Sequence, residues 1–317
     1  MADLPRFRLF DGPSPLQPVP RFCRTVLDGR VELWMKREDL LPLAFGGNKL
    51  RNLEFLVGQA LADGADTLIT SGRRWSNHAR LTAAAGARAG LTVHLVLSGP
   101  QVEPPGPGIR LAEAFGATVH RLTTADRGER EATVARIAAD VTAAGGRPYV
   151  IGVGGSGAVG ARGQLLAARE VLDQANEIGL GIDRIVLPTA TGGTQAGLLA
   201  GLPESIHVSG IVAARTAAEL RAVIADTVLA LGAMVADSAI DLDESHIGEG
   251  YGRPTSAAAE AAASLARSEG ILVDPIYTAK ALAGLVAGVR SGAWDGERIV
   301  FWHAGGLPGL FEPLDGE

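Results

Sequence analysis

Arg184-Ile185-Val186-Leu187-Pro188-Thr189-Ala190-Thr191-Gly192-Gly193-Thr194-Gln195-Ala196-Gly197 is the stretch from which the architecture of this chain is read. A short β-branched run ends in a turn of threonines and glycines, and small residues follow, so the pattern predicts a strand that passes straight into a helix. At such a turn, successive backbone N–H groups and hydroxyls surround an anion, with the positive end of the helix dipole behind it. The stretch lacks the lysine of a Walker loop and the spacing of a dinucleotide-binding GxGxxG. A single phosphate group therefore fits it better than a nucleotide.

The same alternation extends in both directions. Runs of strand type lie at 66–70, 92–97, 118–122, 148–153, 184–187, 207–212 and 298–302, separated by helix-length patterns at 49–62, 79–90, 129–144 and 255–268. Strands that alternate with helices across short glycine turns predict α/β architecture, with parallel sheets covered on both faces. The chain has 317 residues, 47% of them hydrophobic and 20% charged, enough for a large core that ordinarily divides into two domains. A net charge of −6 gives no basic footprint for nucleic acid. Cys23 is the single cysteine, so a disulfide within the chain and a cysteine metal cluster are not expected, and a reducing compartment is the simple reading. Residues 1–20 contain no apolar signal core and no stretch is apolar enough to span a bilayer, so neither secretion nor a membrane is expected.

Two further clusters carry chemistry. In Phe45-Gly46-Gly47-Asn48-Lys49-Leu50-Arg51 a flexible glycine pair lets the backbone approach a bound group, and Lys49 opens a helix. The dipole there disfavours the ammonium form and lowers the pKa toward a usable amine; taken alone, Lys49 reads first as a solvated first-turn lysine. In Arg73-Arg74-Trp75-Ser76-Asn77-His78-Ala79-Arg80, Ser76 and Asn77 are N-cap types, and capping alone is one reading. The other is a carboxylate site, built from the free N–H groups of the helix start with Arg73 and Arg74 nearby. An amine, a carboxylate site and a phosphate cup together meet the needs of pyridoxal 5′-phosphate (PLP) chemistry.

In combination and order, the motifs resemble the D-cysteine desulfhydrase and 1-aminocyclopropane-1-carboxylate (ACC) deaminase group of fold-type-II PLP enzymes. The likeness runs from Pro13-Ser14-Pro15-Leu16 and Trp34-Met35-Lys36-Arg37-Glu38-Asp39-Leu40 through the three clusters. It continues to Gly250-Tyr251-Gly252, Asp274-Pro275-Ile276-Tyr277-Thr278-Ala279-Lys280 and Trp302-His303-Ala304-Gly305-Gly306. The resemblance implies a tryptophan-synthase-β-like fold of two open, twisted, mostly parallel sheets flanked by helices. It implies a small α/β domain over 50–160, inserted into a large cofactor domain made of 1–49 and 161–317. Lys49 would hold the cofactor as a Schiff base and, once displaced by a substrate amine, remove the α-proton. Asn77 would meet the cofactor's phenolic oxygen, and Ala190, Thr191, Gly192, Gly193 and Thr194 would form the phosphate cup. Ser76, Asn77 and His78 would bind the substrate carboxylate, with Ser76 also catalytic. Tyr251 and Tyr277 would face the substrate, although tyrosines read in isolation are more often core residues. A cytoplasmic homodimer acting on a small amino acid, without metal, completes what the resemblance implies.

The departures from the family bear on specificity. Thr278 after Tyr277 follows the desulfhydrase pattern, where ACC deaminases carry glutamate, so α,β-elimination of D-cysteine to pyruvate, sulfide and ammonia is the leading expectation. Ala304 stands where desulfhydrases have a threonine, which leaves Thr278 or water to face the pyridine nitrogen. Gly157 replaces an asparagine. Arg73, Arg74 and Trp75 replace small residues and a glutamine, so a bulkier or doubly anionic amino acid is also expected to fit. The alternatives are ACC deamination, β-replacement, epimerisation or retro-aldol cleavage of another amino acid, and a non-catalytic PLP-binding protein.

Overall fold

In the computed structural model, which describes residues 4–314, each β-branched run read from the sequence forms a strand. The strands are β1 (Leu16–Pro18), β2 (Glu32–Arg37), β3 (Thr67–Arg73), β4 (Thr92–Ser98), β5 (Thr118–Leu122), β6 (Pro148–Ile151), β7 (Arg184–Thr189), β8 (His207–Val212), β9 (Asp241–Asp243) and β10 (Arg298–His303). The helices are α1 (Pro20–Val26), α2 (Lys49–Ala62), α3 (Asn77–Ala89), α4 (Pro107–Ala114), α5 (Arg127–Ala143), α6 (Ala158–Glu177), α7 (Gly193–Gly201), α8 (Ala217–Ala230), α9 (Ser256–Glu269) and α10 (Thr278–Arg290). The pattern passes over β1, β2 and β9. Two of these are three residues long, and β2 carries Glu32, Lys36 and Arg37 among its six positions.

The strands form two sheets flanked by helices. One has the order β1-β2-β10-β7-β8-β9, and only β1 is antiparallel to its neighbour; the other has the order β5-β4-β3-β6 and is parallel throughout. The chain leaves the larger sheet after β2, builds the smaller one, and returns at β7.

Side chains alternate across each sheet, as a strand period of two requires. On the larger sheet Val186, Ile211, Ile299 and Phe301 face α1, α9 and α10. Ile185, Leu187, Val300 and Trp302 face the other way, onto α6 and α7. On the smaller sheet Leu68, Leu95 and Ile151 meet α2, α3 and α4, while Ile69 and Val96 meet Ile137 of α5. Both sheets are thus buried on two sides, which explains the near-continuous apolar character of their strands.

The start of α2 is fixed by a buried ionic network. Arg51 Nε and Nη2 donate to the two oxygens of Glu38, at 2.6 and 2.8 Å, just beyond β2. Its Nη1 and Nη2 also donate to Glu170 of α6, at 2.9 and 2.7 Å. Lys36 Nζ donates to Ser14 O, Glu170 and Gln174, and Ser14 Oγ donates to Glu38 at 2.5 Å. Removing one member strands the others in a dry interior, and such losses cost about 3–5 kcal/mol. Arg51→Met is expected to destabilise the protein on that scale in urea titration, well above the loss from Arg136→Met in the exposed Arg136–Asp140 pair of α5.

Candidate active site

Parallel sheets point the C-terminal ends of their strands, and so the N-termini of the following helices, in one direction. Here the starts of α2, α3, α7 and α10 surround a cavity of about 520 Å³. Each helix start brings a partial positive charge, so the cavity suits an anionic guest.

Lys49 is the first residue of α2 and lines the cavity. Gly46 and Gly47, at φ +64° and +124°, bend the chain around the segment after β10. A Cβ on Gly47 would lie 3.3 Å from Ala304 O, and one on Gly305 2.5 Å from Gly47 Cα, so these two turns meet only as glycines. Asn48 N donates to Ala304 O at 3.0 Å and Asn48 Nδ2 to Thr194 Oγ1 at 2.9 Å, which locks the lysine between α7 and the turn after β10. The chain has three lysines. Lys36 and Lys280 are fully buried and committed, Lys280 to the carbonyls of Ile247 and Gly250. Among the described residues Lys49 Nζ has no hydrogen bond or ion pair, and desolvation pulls its pKa down to about 8. That amine is in part unprotonated near neutral pH.

Ser76 caps α3 by accepting from Ala79 N at 3.2 Å, so its capping reading holds, and Ser76, Asn77 and His78 also line the cavity. Asn77 Oδ1 accepts from Arg80 Nη2 at 3.3 Å, while the same guanidinium reaches Ala44 O and Gly46 O and so joins α3 to the glycine turn. His78 is buried and in contact with Thr70 Oγ1 through Nε2 at 3.1 Å. Burial and then the Lys49 charge lower its pKa to about 3, so the imidazole is neutral and offers a carboxylate no ion pair. The three residues before Ser76 are split up. Arg73 lines the cavity, whereas Arg74 turns to the C-terminal segment, donating to Glu312 at 3.1 Å and to Pro313 O. Trp75 is buried beside Ile276 and Leu314 and does not line the cavity; it stands edge-on to Tyr251, with ring centroids 5.9 Å apart.

At the start of α7, Ala190, Thr191, Gly192 and Thr194 line the cavity and Gly193 lies behind them. Gly192 takes φ +82°, and Thr191 Oγ1 is 2.6 Å from Ser156 Oγ. A Cβ on Gly193 would come within 2.9 Å of Ser156 Oγ and 3.0 Å of its Cα. The turn thus offers backbone N–H groups and hydroxyls within a space that tolerates no added side chain, which fits a phosphate group.

Tyr251 and Tyr277 also line the cavity and hydrogen-bond to each other through their hydroxyls. Burial raises the pKa of both phenols, Tyr277 the more strongly because Tyr251 is against it, so both keep their protons near neutrality. Thr278 Oγ1 donates to Gly305 O at 3.2 Å, and Ala304 lines the same wall. Pattern reading passes over Asp274, Arg127, Arg130, Arg215 and Glu219, all of which line the cavity. Asp274 accepts from the N–H groups of Ile276, Tyr277 and Thr278 and so organises the start of α10. Its place within the Asp274 to Lys280 motif was its only signal. The arginines sit in unremarkable helix starts and loops.

Two outcomes follow from this geometry. Gly193→Val is expected to fold yet lose PLP on dialysis, measured as cofactor retained per chain. In cofactor-free protein, an amine-reactive label should modify Lys49 increasingly as pH rises through about 8, because the neutral amine appears above that value and the ammonium form persists below it; peptide mapping reads the site.

The model of the "Pyridoxal-phosphate dependent enzyme" family matches residues 7–305. A D-cysteine desulfhydrase of Salmonella typhi is 38% identical over 323 residues, covering 98% of this chain and 97% of the relative. An ACC deaminase homologue of known structure superposes with a TM-score of 0.89 at 35% identity, covering 98% of this chain and 94% of its own. Maize serine racemase, at 19% identity and TM-score 0.68 over 93% and 89% of the two chains, shares the fold. A match along nearly the whole chain, joined to a relative at 38% identity, makes this chain a member of the pyridoxal-phosphate dependent enzymes, with that cofactor as its own.

Proposed function

We propose that the chain catalyses α,β-elimination on a small amino acid, in the manner of the D-cysteine desulfhydrases it resembles. One observation carries the reading: the single uncommitted lysine amine shares its cavity with a pair of protonated phenols. A base and an acid in one cavity are what elimination needs, one to take the α-proton and the other to protonate a leaving group on Cβ.

When bound, PLP supplies an aldehyde for the substrate amine and a ring that accepts electron density from the α-carbon. The start of α7 would hold its phosphate through the Thr191, Gly192, Gly193 and Thr194 turn, and Asn77 would meet its phenolic oxygen. Thr278 would face the pyridine nitrogen across Ala304. The N–H groups that open α3, with Ser76 and Asn77, would bind the substrate carboxylate. Lys49 Nζ, with a pKa near 8, would take the α-proton. Tyr277, supported by Tyr251, would donate to the departing sulfur. The balance for D-cysteine is one water consumed, with pyruvate, sulfide and ammonia released. The buried, unpaired Cys23 is compatible with a reducing compartment.

Reduction with borohydride followed by peptide mapping should place the cofactor on Lys49, and Lys49→Ala should abolish the adduct. In the holoenzyme, Tyr277→Phe should lower kcat for pyruvate release by about 10²-fold or more, the scale of a lost general acid, with a smaller change in KM. An adduct on Lys36 or Lys280, or turnover unaffected in both variants, would discard the assignment.

A further inference from the structure

We propose that Arg73 and Arg130 form a second anion site in this cavity, and that the natural substrate is an α-amino acid whose side chain ends in a fixed anion, such as a sulfonate, phosphate or carboxylate. The inference rests on the cavity being the amino-acid site described above. Arg73 ends β3 and Arg130 lies in the first turn of α5, and both line the cavity that Tyr251 and Tyr277 also line. Trp75 fixes the position of Arg73, with the guanidinium carbon 5.3 Å from the indole centroid and the same indole edge-on to Tyr251. Arg73 therefore stands beside the phenols that would face a substrate side chain.

Among the described residues neither guanidinium makes an ion pair, and Glu131 is the carboxylate whose charge Arg130 feels. Among the described residues Arg73 makes no side-chain hydrogen bond or ion pair, and Arg130 makes one hydrogen bond, to Ser98 Oγ at 2.8 Å. The Nε atoms of both are buried without a partner. Burial lowers the pKa of Arg130, and the neighbouring charges of Arg73 and Arg127 lower it further, the mark of cations that repel one another. The carboxylates of the same cavity are engaged elsewhere: Asp274 with three backbone N–H groups and Glu219 with Thr216 in the capping box of α8. Glu131, nearby, pairs with Arg127 at 2.6 Å. Partly buried cations without an ion-pair partner are costly, and a neutral side chain would leave them so. The α-carboxylate is already served by the start of α3, so the anion that these arginines recognise is a different one.

Arg74, the neighbour that the sequence also offers for this role, is used up by Glu312. Arg130 takes its place from 57 positions beyond Arg73.

The test uses the holoenzyme with 3-sulfoalanine, phosphoserine and aspartate against alanine, serine and cysteine, each in both configurations, reading equilibrium binding by thermal shift and turnover by keto-acid release. The anionic set is expected to bind at least about tenfold more tightly than the neutral set of the same configuration. Arg73→Gln and Arg130→Gln should each reduce that preference by about tenfold or more, as for one lost charge-assisted hydrogen bond. Neutral ligands bound as tightly as anionic ones, or equal weakening of both sets in the variants, would overturn the second site. Anion preference without keto-acid release from any amino acid would keep the second site and discard elimination. Release from neutral amino acids without anion preference would do the reverse.

Discussion

The buried pairing of Arg51 with Glu38 and Glu170 is the constraint on which the rest of this site depends. It joins the end of β2, the start of α2 and the middle of α6 through charges that cannot be separated cheaply in a dry interior. Lys49 lies two residues before Arg51, so the same pairing sets the position of the amine. Asn48 then ties that helix start to Thr194 of α7 and to Ala304 beyond β10, and Arg80 ties it to α3. Three elements that would carry the cofactor and substrate groups are thereby registered to one another.

The electrostatics follow from topology. Parallel strands deliver helix N-termini to one edge, and each contributes positive potential where a phosphate and a carboxylate would lie. Desolvation opposes the charging of any base buried among those helix starts, and the Lys49 charge adds to this at His78. Lys49 and His78 both hold depressed pKa values for this reason, and the two play different parts. Lys49 faces the cavity with no partner, so its neutral form is available for chemistry. His78 also lines the cavity, but its ring is in hydrogen-bond contact with Thr70.

Adjacent residues with similar chemistry can part company on folding. Arg73 and Arg74 are neighbours in sequence and equivalent by composition. Arg73 closes β3 on the cavity side, and the turn that follows carries Arg74 away from it to Glu312. Trp75 is likewise drawn into a small cluster with Ile276 and Leu314, from which it supports Tyr251 and Arg73 without lining the cavity.

The local pattern of the chain determined the α/β class, the longer strands, and the glycine turns around Lys49 and Gly192, because strand period, helix punctuation and positive φ are properties of a few consecutive residues. Ser76 as a cap was legible for the same reason. The short edges β1 and β9 and the charged strand β2 were not, since three residues carry no period and the buried Lys36 of β2 is compensated by Glu170, far along the chain. Tertiary structure alone decided that Asp274 organises the start of α10, that Arg130 joins Arg73 while Arg74 leaves it, and that Lys49 is the lysine left without a partner. Those outcomes turn on desolvation and on which charges meet across long sequence separations, and neither quantity exists until the sheets and helices have closed around one cavity.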